Sequence, residues 1–186
     1  MNILIAGVGG QGNILLSKII AQIYLNKGYN VKTGENIGMS QRGGSVVSFV
    51  RVNEVGGPII PSKNADILIG LELYESLRNL KYLKESGYAF INERLITSNL
   101  NGRVDKVEVI NTIKENTKNV IFYNLFDILN QVGLLKAENI ALLSYISKEG
   151  FLDIKLEEII NTLKENLKES VFGMNKILVE KIFNAI

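Results

Sequence analysis

The chain is 186 residues long, 46% apolar and 22% charged, with a formal net charge of +2: enough for one sizeable core, ordinary for a globular protein, and exclusive of disordered and fibrous classes. Its acidic and basic residues are interleaved, which gives no electrostatic footprint for nucleic acid or an anionic membrane. Cysteine and histidine are both absent, so the chain cannot hold an iron–sulfur cluster through thiolates or use a thiol nucleophile, and it lacks the commonest proton-moving side chain and metal ligand. If it belongs to an enzyme, most of the reactive chemistry sits elsewhere, and no catalytic or metal-binding residue is assigned to the chain itself.

Asn2 to Ala6 is an apolar run ending in glycine and reads as a buried strand. Gln11 to Lys27 follows with helical spacing, placing Leu16, Ile19, Ile20 and Ile23 on one face, and Gly28 stops the helix. Tyr29 to Glu35 reads as a second strand, so residues 2 to 35 predict a βαβ unit with a parallel pair. Val46 to Val52 is β-branched and leads into the turn signal Asn53 to Pro58. Asp66 to Gly70 is another buried strand, Leu71 to Leu83 a helix, and Tyr88 to Asn92 a strand. Val104 to Ile110 alternates as a strand does, and Val120 to Tyr123 reads as the last strand.

From Leu125 onward helices take over. Leu156, Ile159, Ile160, Leu163 and Leu167 share one helix face, with Asp153 as the expected N-cap, and Met174, Leu178 and Ile182 continue the pattern. The expected fold is α/β: a Rossmann-like open, mostly parallel sheet with helices on both faces, one domain over residues 1–186. Residues 1–124 form its sheet portion and residues 125–186 a helical C-terminal cap. No stretch approaches the ~20 apolar residues of a membrane span and no signal peptide is evident, so the expected location is cytoplasmic.

Two glycine-rich loops carry the functional signal. Gly7, Gly9 and Gly12 satisfy the G-x-G-x-x-G spacing between a strand and a helix, where glycines permit a tight turn and the helix N-terminus offers free N–H groups to a phosphate. Two readings stay open there: a phosphate-bearing ligand, or glycines that only let the first helix pack on the sheet. The acid expected about 20 residues on for a dinucleotide ribose is not clear, since Val31, Lys32 and Thr33 fill that stretch and Glu35 comes late. Gln11, a polar amide at a strand's carboxyl end, is placed to meet a ligand or partner. In the second loop Gln41 and Arg42 project between Gly38, Gly43 and Gly44, and Arg offers a planar fork for phosphate or carboxylate. The candidate binding residues are therefore Gly7, Gly9, Gly10, Gln11, Gly12, Gln41, Arg42, Gly43 and Gly44. Glu72, Asn92 and Asn124 follow strands as weaker candidates; capping or turn formation explains each Asn more simply, and Glu72 is kept as a partner of Arg42 or the glycine loop.

GVGGQG and its long helix, GMSQRGGSVVSFVRV, GPIIP and ADILIGLE together resemble the gamma-type subunit of the 2-oxoacid:ferredoxin oxidoreductases. The second loop is worded most like the beta subunit of the indolepyruvate type. The specific match covers roughly residues 3 to 72. The resemblance implies an assembly that decarboxylates a 2-oxoacid on thiamine diphosphate, passes electrons through iron–sulfur clusters to ferredoxin and releases an acyl-coenzyme A. It places the thiamine site and clusters on a partner chain, leaves this chain without a cofactor of its own and inactive alone, and implies a coenzyme A contact at the loops. Relatives often carry histidine after the serine of the SVVS strand; here that residue is Phe49, and no proton transfer is expected of it. A stand-alone NAD-dependent enzyme and a nucleotide-binding regulatory module are the alternatives.

Overall fold

The computed structural model describes residues 1–38, 44–96 and 105–185. Six strands form one sheet: β1 (Asn2–Val8), β2 (Val31–Ile37), β3 (Ser45–Val52), β4 (Ala65–Gly70), β5 (Leu83–Asn92) and β6 (Val120–Tyr123), in the order β2-β3-β1-β4-β5-β6. β1, β4, β5 and β6 pair in parallel, whereas β3 runs antiparallel to both β1 and β2. The sheet is mostly parallel, as expected, but the expected β1–β2 pair is corrected. The two strands point the same way with β3 inserted between them, because β3 returns directly from β2 as a hairpin and occupies the side of β1 that a crossover would have filled.

Helices cover both faces, and the pleat sorts the core. Ile3, Ile5, Val50, Ile67, Ile69 and Phe90 face one layer, built from α1 (Asn13–Asn26), α4 (Phe126–Val132), α5 (Glu138–Lys148), α6 (Leu156–Asn166) and α7 (Glu169–Asn184). Leu4, Ala6, Val47, Phe49, Leu68 and Ile91 face the other, against α2 (Leu73–Asn79) and α3 (Lys106–Asn116). The period-2 alternation of β1 thus serves two cores at once. Leu16, Ile19, Ile20 and Ile23 are all buried, as their spacing predicts, and Gly28 ends α1 at φ +84°. The helices after Leu125 form a layer with α1 across one sheet face, since Leu142, Ile159, Leu178 and Ile182 share a core with Ile5 and Ile69.

Two further expectations are corrected. Residues predicted as a strand over 104–110 begin α3 instead; Val104 lies outside the described residues. The Asp105 carboxylate accepts from Val107 N at 2.7 Å and Glu108 N at 3.4 Å, and the buried pair is Val109 and Ile113, four apart, while Val107 is exposed. Cap and helical spacing outweigh the short alternation. Asp153 does not cap α6. Glu158 accepts from Lys155 N at 2.7 Å at that helix start, and Asp153 instead pairs with Lys27 at 3.3 Å. Leu71 to Leu83 also holds less helix than expected, with α2 followed by a 3-10 turn over Leu80–Tyr82.

Asp105→Ala removes the α3 cap and is expected to lower stability by about 1 kcal/mol. Urea unfolding checks this: the midpoint should fall at unchanged slope.

Candidate functional site at the carboxyl edge of the sheet

The first glycine loop meets the described end of the second. β1 and β3 pair up to Val8 and Ser45, and one step beyond, Gly9 N donates to Gly44 O at 2.8 Å. Gly38 N donates to Ser45 O at 2.8 Å and closes the β2 side. Gln41, Arg42 and Gly43 lie outside the described residues; Gly38 and Gly44, the ends of their loop, sit beside the first loop at the carboxyl ends of β1 and β2.

The glycines of the first loop divide by role. Gly12 has φ +79° and stands at the N-cap of α1, where a Cβ would collide with the Asn139 side-chain amide that donates to Gly12 O at 3.2 Å. A Cβ on Gly7 would lie 2.9 Å from Gln11 Oε1 and 3.0 Å from Asn13 Oδ1. Packing therefore requires both. Gly9 and Gly10 are exposed, and Gly10 turns the chain at φ +99°. No side chain caps α1, so its first N–H groups point from the edge with the positive end of the helix dipole. That donor set suits an anion and offers nothing that moves a proton.

Gln11 is turned away from a ligand, contrary to the sequence expectation. It is 8% exposed. Its Oε1 accepts from Val8 N at 2.9 Å, and its Nε2 donates to Leu71 O at 2.9 Å and to Glu138 Oε2 at 3.3 Å. Glu138, 7% exposed at the start of α5, gives its other oxygen to Arg94 Nη1, whose side chain is half exposed. A carboxylate so buried is tolerable only when paired and hydrogen-bonded. Gln11, Glu138 and Arg94 thus form a chain of contacts fastening the loop, the β4–α2 corner and α5 together. Nothing in the sequence marks Glu138 or Arg94, which are 44 positions apart; the position of Glu138 in a helix first turn is the only local signal.

Glu72 is also structural. It is 1% exposed and N-caps α2, accepting from Glu75 N at 2.7 Å and Ile96 N at 3.0 Å. Burial pushes its carboxyl above the usual carboxylate range, and those backbone donors oppose the rise. Another carboxylate near the edge, Glu75, accepts from Ser45 Oγ at 2.5 Å and pairs with Arg78 at 3.0 Å. Asn124 Oδ1 accepts from Phe126 N at 3.2 Å, a turn contact, and Asn92 Nδ2 donates to Leu71 O at 3.4 Å. Phe49 is buried edge-on to Tyr82. Glu35 stands on β2, one strand removed from β1, so the ribose-binding position of a dinucleotide fold, at the end of the strand beside β1, is not provided.

Around this edge runs a rim of exposed apolar side chains: Ile14 opens α1, Ile37 ends β2, Val107 opens α3, Phe126 opens α4 and Leu135 precedes α5. Among the described residues there is no cluster of three metal-ligating side chains, and no helix is long and apolar enough to cross a membrane.

Comparison with known proteins gives these features a context. The family model described as pyruvate ferredoxin/flavodoxin oxidoreductase matches residues 2–185. The indolepyruvate oxidoreductase subunit IorB of Archaeoglobus fulgidus is 33% identical over 94% of this chain and 90% of its own length. Its namesake in Methanothermobacter thermautotrophicus is 31% identical over 94% and 91%. Among solved structures, the pyruvate oxidoreductase subunit PORC of Thermotoga maritima has the same fold at a TM-score of 0.72 and 19% identity, over 98% of this chain and 94% of that one. The 2-oxoglutarate:ferredoxin oxidoreductase of Magnetococcus marinus, solved with 2-oxoglutarate, coenzyme A and succinyl-CoA bound, matches all of this chain with 31% of its own at a TM-score of 0.72 and 17% identity.

Because the folded-state pKa of Glu72 is raised, the native protein binds its proton more tightly than the unfolded chain. Stability from this group is therefore lost as pH rises from the ordinary carboxylate range through the raised pKa. Glu72→Ser keeps an N-cap but does not titrate. Wild type is expected to lose stability relative to Glu72→Ser across that window, read as the difference in denaturant midpoint at each pH.

Proposed function

The chain belongs to the pyruvate ferredoxin/flavodoxin oxidoreductase family, and on that premise we propose that it is the cofactor-free gamma-type subunit of an indolepyruvate:ferredoxin oxidoreductase acting in the cytoplasm. In this reading residues 1–186 act as one domain that docks on a larger catalytic chain carrying thiamine diphosphate and iron–sulfur clusters. The cofactors supply the chemistry: carbon dioxide leaves the 2-oxoacid, an electron pair passes through the clusters to ferredoxin, and the acyl group ends on coenzyme A. This chain supplies a shaped surface. It has neither cysteine for a cluster nor histidine for proton transfer, a composition that fits such a division of labour.

The observation that supports the reading is the bond from Gly9 N to Gly44 O, which brings Gly44, the described end of the second loop, to the first. The rim fits a protein partner, with apolar anchors around a polar centre. The open start of α1 and the exposed Gly9–Gly10 turn fit a phosphate of coenzyme A. In this reading Gly9 and Gly10 lend backbone to the anion, and Gln41, Arg42, Gly43 and Gly44 are taken as further binding residues on their sequence alone. Gly7, Gln11 and Glu138 hold the loop in shape, and Arg42 contributes a bidentate fork. Indolepyruvate as the oxoacid rests on the two relatives that carry that name across nearly their whole length.

Co-expression with the catalytic chain tests the reading. Ile14→Asp with Phe126→Asp should weaken subunit binding by about 2 kcal/mol, roughly thirtyfold in Kd, while the isolated fold keeps its circular dichroism. Arg42→Ala and Arg42→Lys should raise the coenzyme A KM of the assembled enzyme. Unchanged assembly together with unchanged coenzyme A dependence would reject the docking edge.

A further inference from the structure

β2 is one of the two edge strands of the sheet, and its hydrogen-bonding parity is known. Asn53 N donates to Asn30 O at 2.8 Å and Gly38 N donates to Ser45 O at 2.8 Å, and the register steps between those pairs by single residues. In an antiparallel ladder, hydrogen-bonded pairs alternate, so the even residues of β2 bond inward to β3. The N–H and C=O groups of Val31, Thr33, Glu35 and Ile37 face outward. This edge is seven residues long, without proline or bulge, and its charges are Lys32 and Glu35; the open backbone groups of an edge are a template for another strand. Its surroundings mix apolar and polar side chains. A groove of about 330 Å³ runs between β2 and α1, lined by Ile14, Leu25 and Val31 among others. Ile14, Leu25 and Ile37 are exposed, as is Ile59, which lies against Gly34 on the opposite face.

Symmetry restricts which strand fits. Two copies related by a two-fold axis normal to the sheet keep each face on its own side, so residues brought opposite each other must share parity. The outward groups further require the odd residues to form the hydrogen-bonded pairs. Three central registers meet both conditions. An axis at Glu35 sets carboxylate against carboxylate, and one at Thr33 sets Val31 against Glu35. An axis at Gly34 sets Val31 against Ile37, Thr33 against Glu35 and Lys32 against Asn36, with two glycines at the axis. Every pair in that register is compatible.

We propose that the β2 edge is a self-association surface, on which a second copy of this chain adds its own β2 antiparallel in the Gly34-centred register, joining two six-stranded sheets into one. Thr33→Pro provides the sharpest test, because the N–H it removes faces outward and the ladder to β3 is left whole. Wild type should sediment as a concentration-dependent dimer, and Thr33→Pro should raise the dimer Kd by about tenfold or more with unchanged circular dichroism. The chain has no cysteine, so disulfides report register cleanly. The double variant Lys32→Cys with Asn36→Cys should oxidise to a covalent dimer, because closely spaced non-hydrogen-bonded pairs have the right separation for a disulfide. Lys32→Cys alone should not. The cysteine pair decides the question should Thr33→Pro fail to fold. A wild type that stays monomeric at every concentration, a dimer indifferent to Thr33→Pro, or equal cross-linking by Lys32→Cys alone would overturn the proposal. Binding of the catalytic chain, but not of a second copy, that is lost in Thr33→Pro would give the edge to that partner and overturn it equally.

Discussion

The antiparallel strand β3, wedged between β1 and β2, is the constraint on which the rest of the molecule depends. Its pairing with β1 runs the full length from Asn2–Arg51 to Val8–Ser45, which brings Gly44, just before β3, beside the first glycine loop. The same wedge displaces Glu35 from the position a ribose would need, and it turns β2 into an edge with open backbone groups. The proposed partner surface and the proposed self-pairing edge both rest on one strand's placement.

The edge is stiffened by polar contacts that are almost entirely inside the protein. Gln11 reaches from the loop to Leu71 O and Glu138, and Glu138 reaches to Arg94. Each link is a group that would be costly to bury alone. The result is a loop whose exposed part, Gly9 and Gly10, is backbone only, held from beneath by the buried side chains of Gln11 and Glu138. Asn13 contributes by donating to Val46 O at 2.9 Å, so the first turn of α1 is fastened to β3 as well.

Much of this was legible in the sequence. The stripe Leu16, Ile19, Ile20 and Ile23, the buried runs of β1 and β4, and the change to helices after Leu125 are local patterns, and local patterns record burial directly. The two glycine loops could be recognised as a pair for the same reason. Strand adjacency was not legible, because nothing in the periodicity of Ser45 to Val52 says which neighbour it takes or in which direction. The strand expected around Val107 failed because seven residues of alternation also fit a helix whose buried side is only Val109 and Ile113. Gln11 misled for a different reason: a polar residue in a glycine loop can point either way, and its inward partners, Leu71 O and Glu138, are far off in the chain.

The core that unites α1 with α5, α6 and α7 has a consequence for synthesis. Ile5, Leu16 and Ile20 leave the ribosome early, yet the helices that cover them, carrying Leu142, Leu163 and Ile182, are made last. Until then the part of that sheet face not covered by α1 stands open to water, whereas the opposite face can be closed sooner by α2 and α3. Contacts so distant in the chain form slowly, and the waiting surface is one to which other nascent chains adhere. Production of this protein is therefore most exposed to aggregation during translation of its final third, the interval in which chaperone capacity or a slowed ribosome matters most.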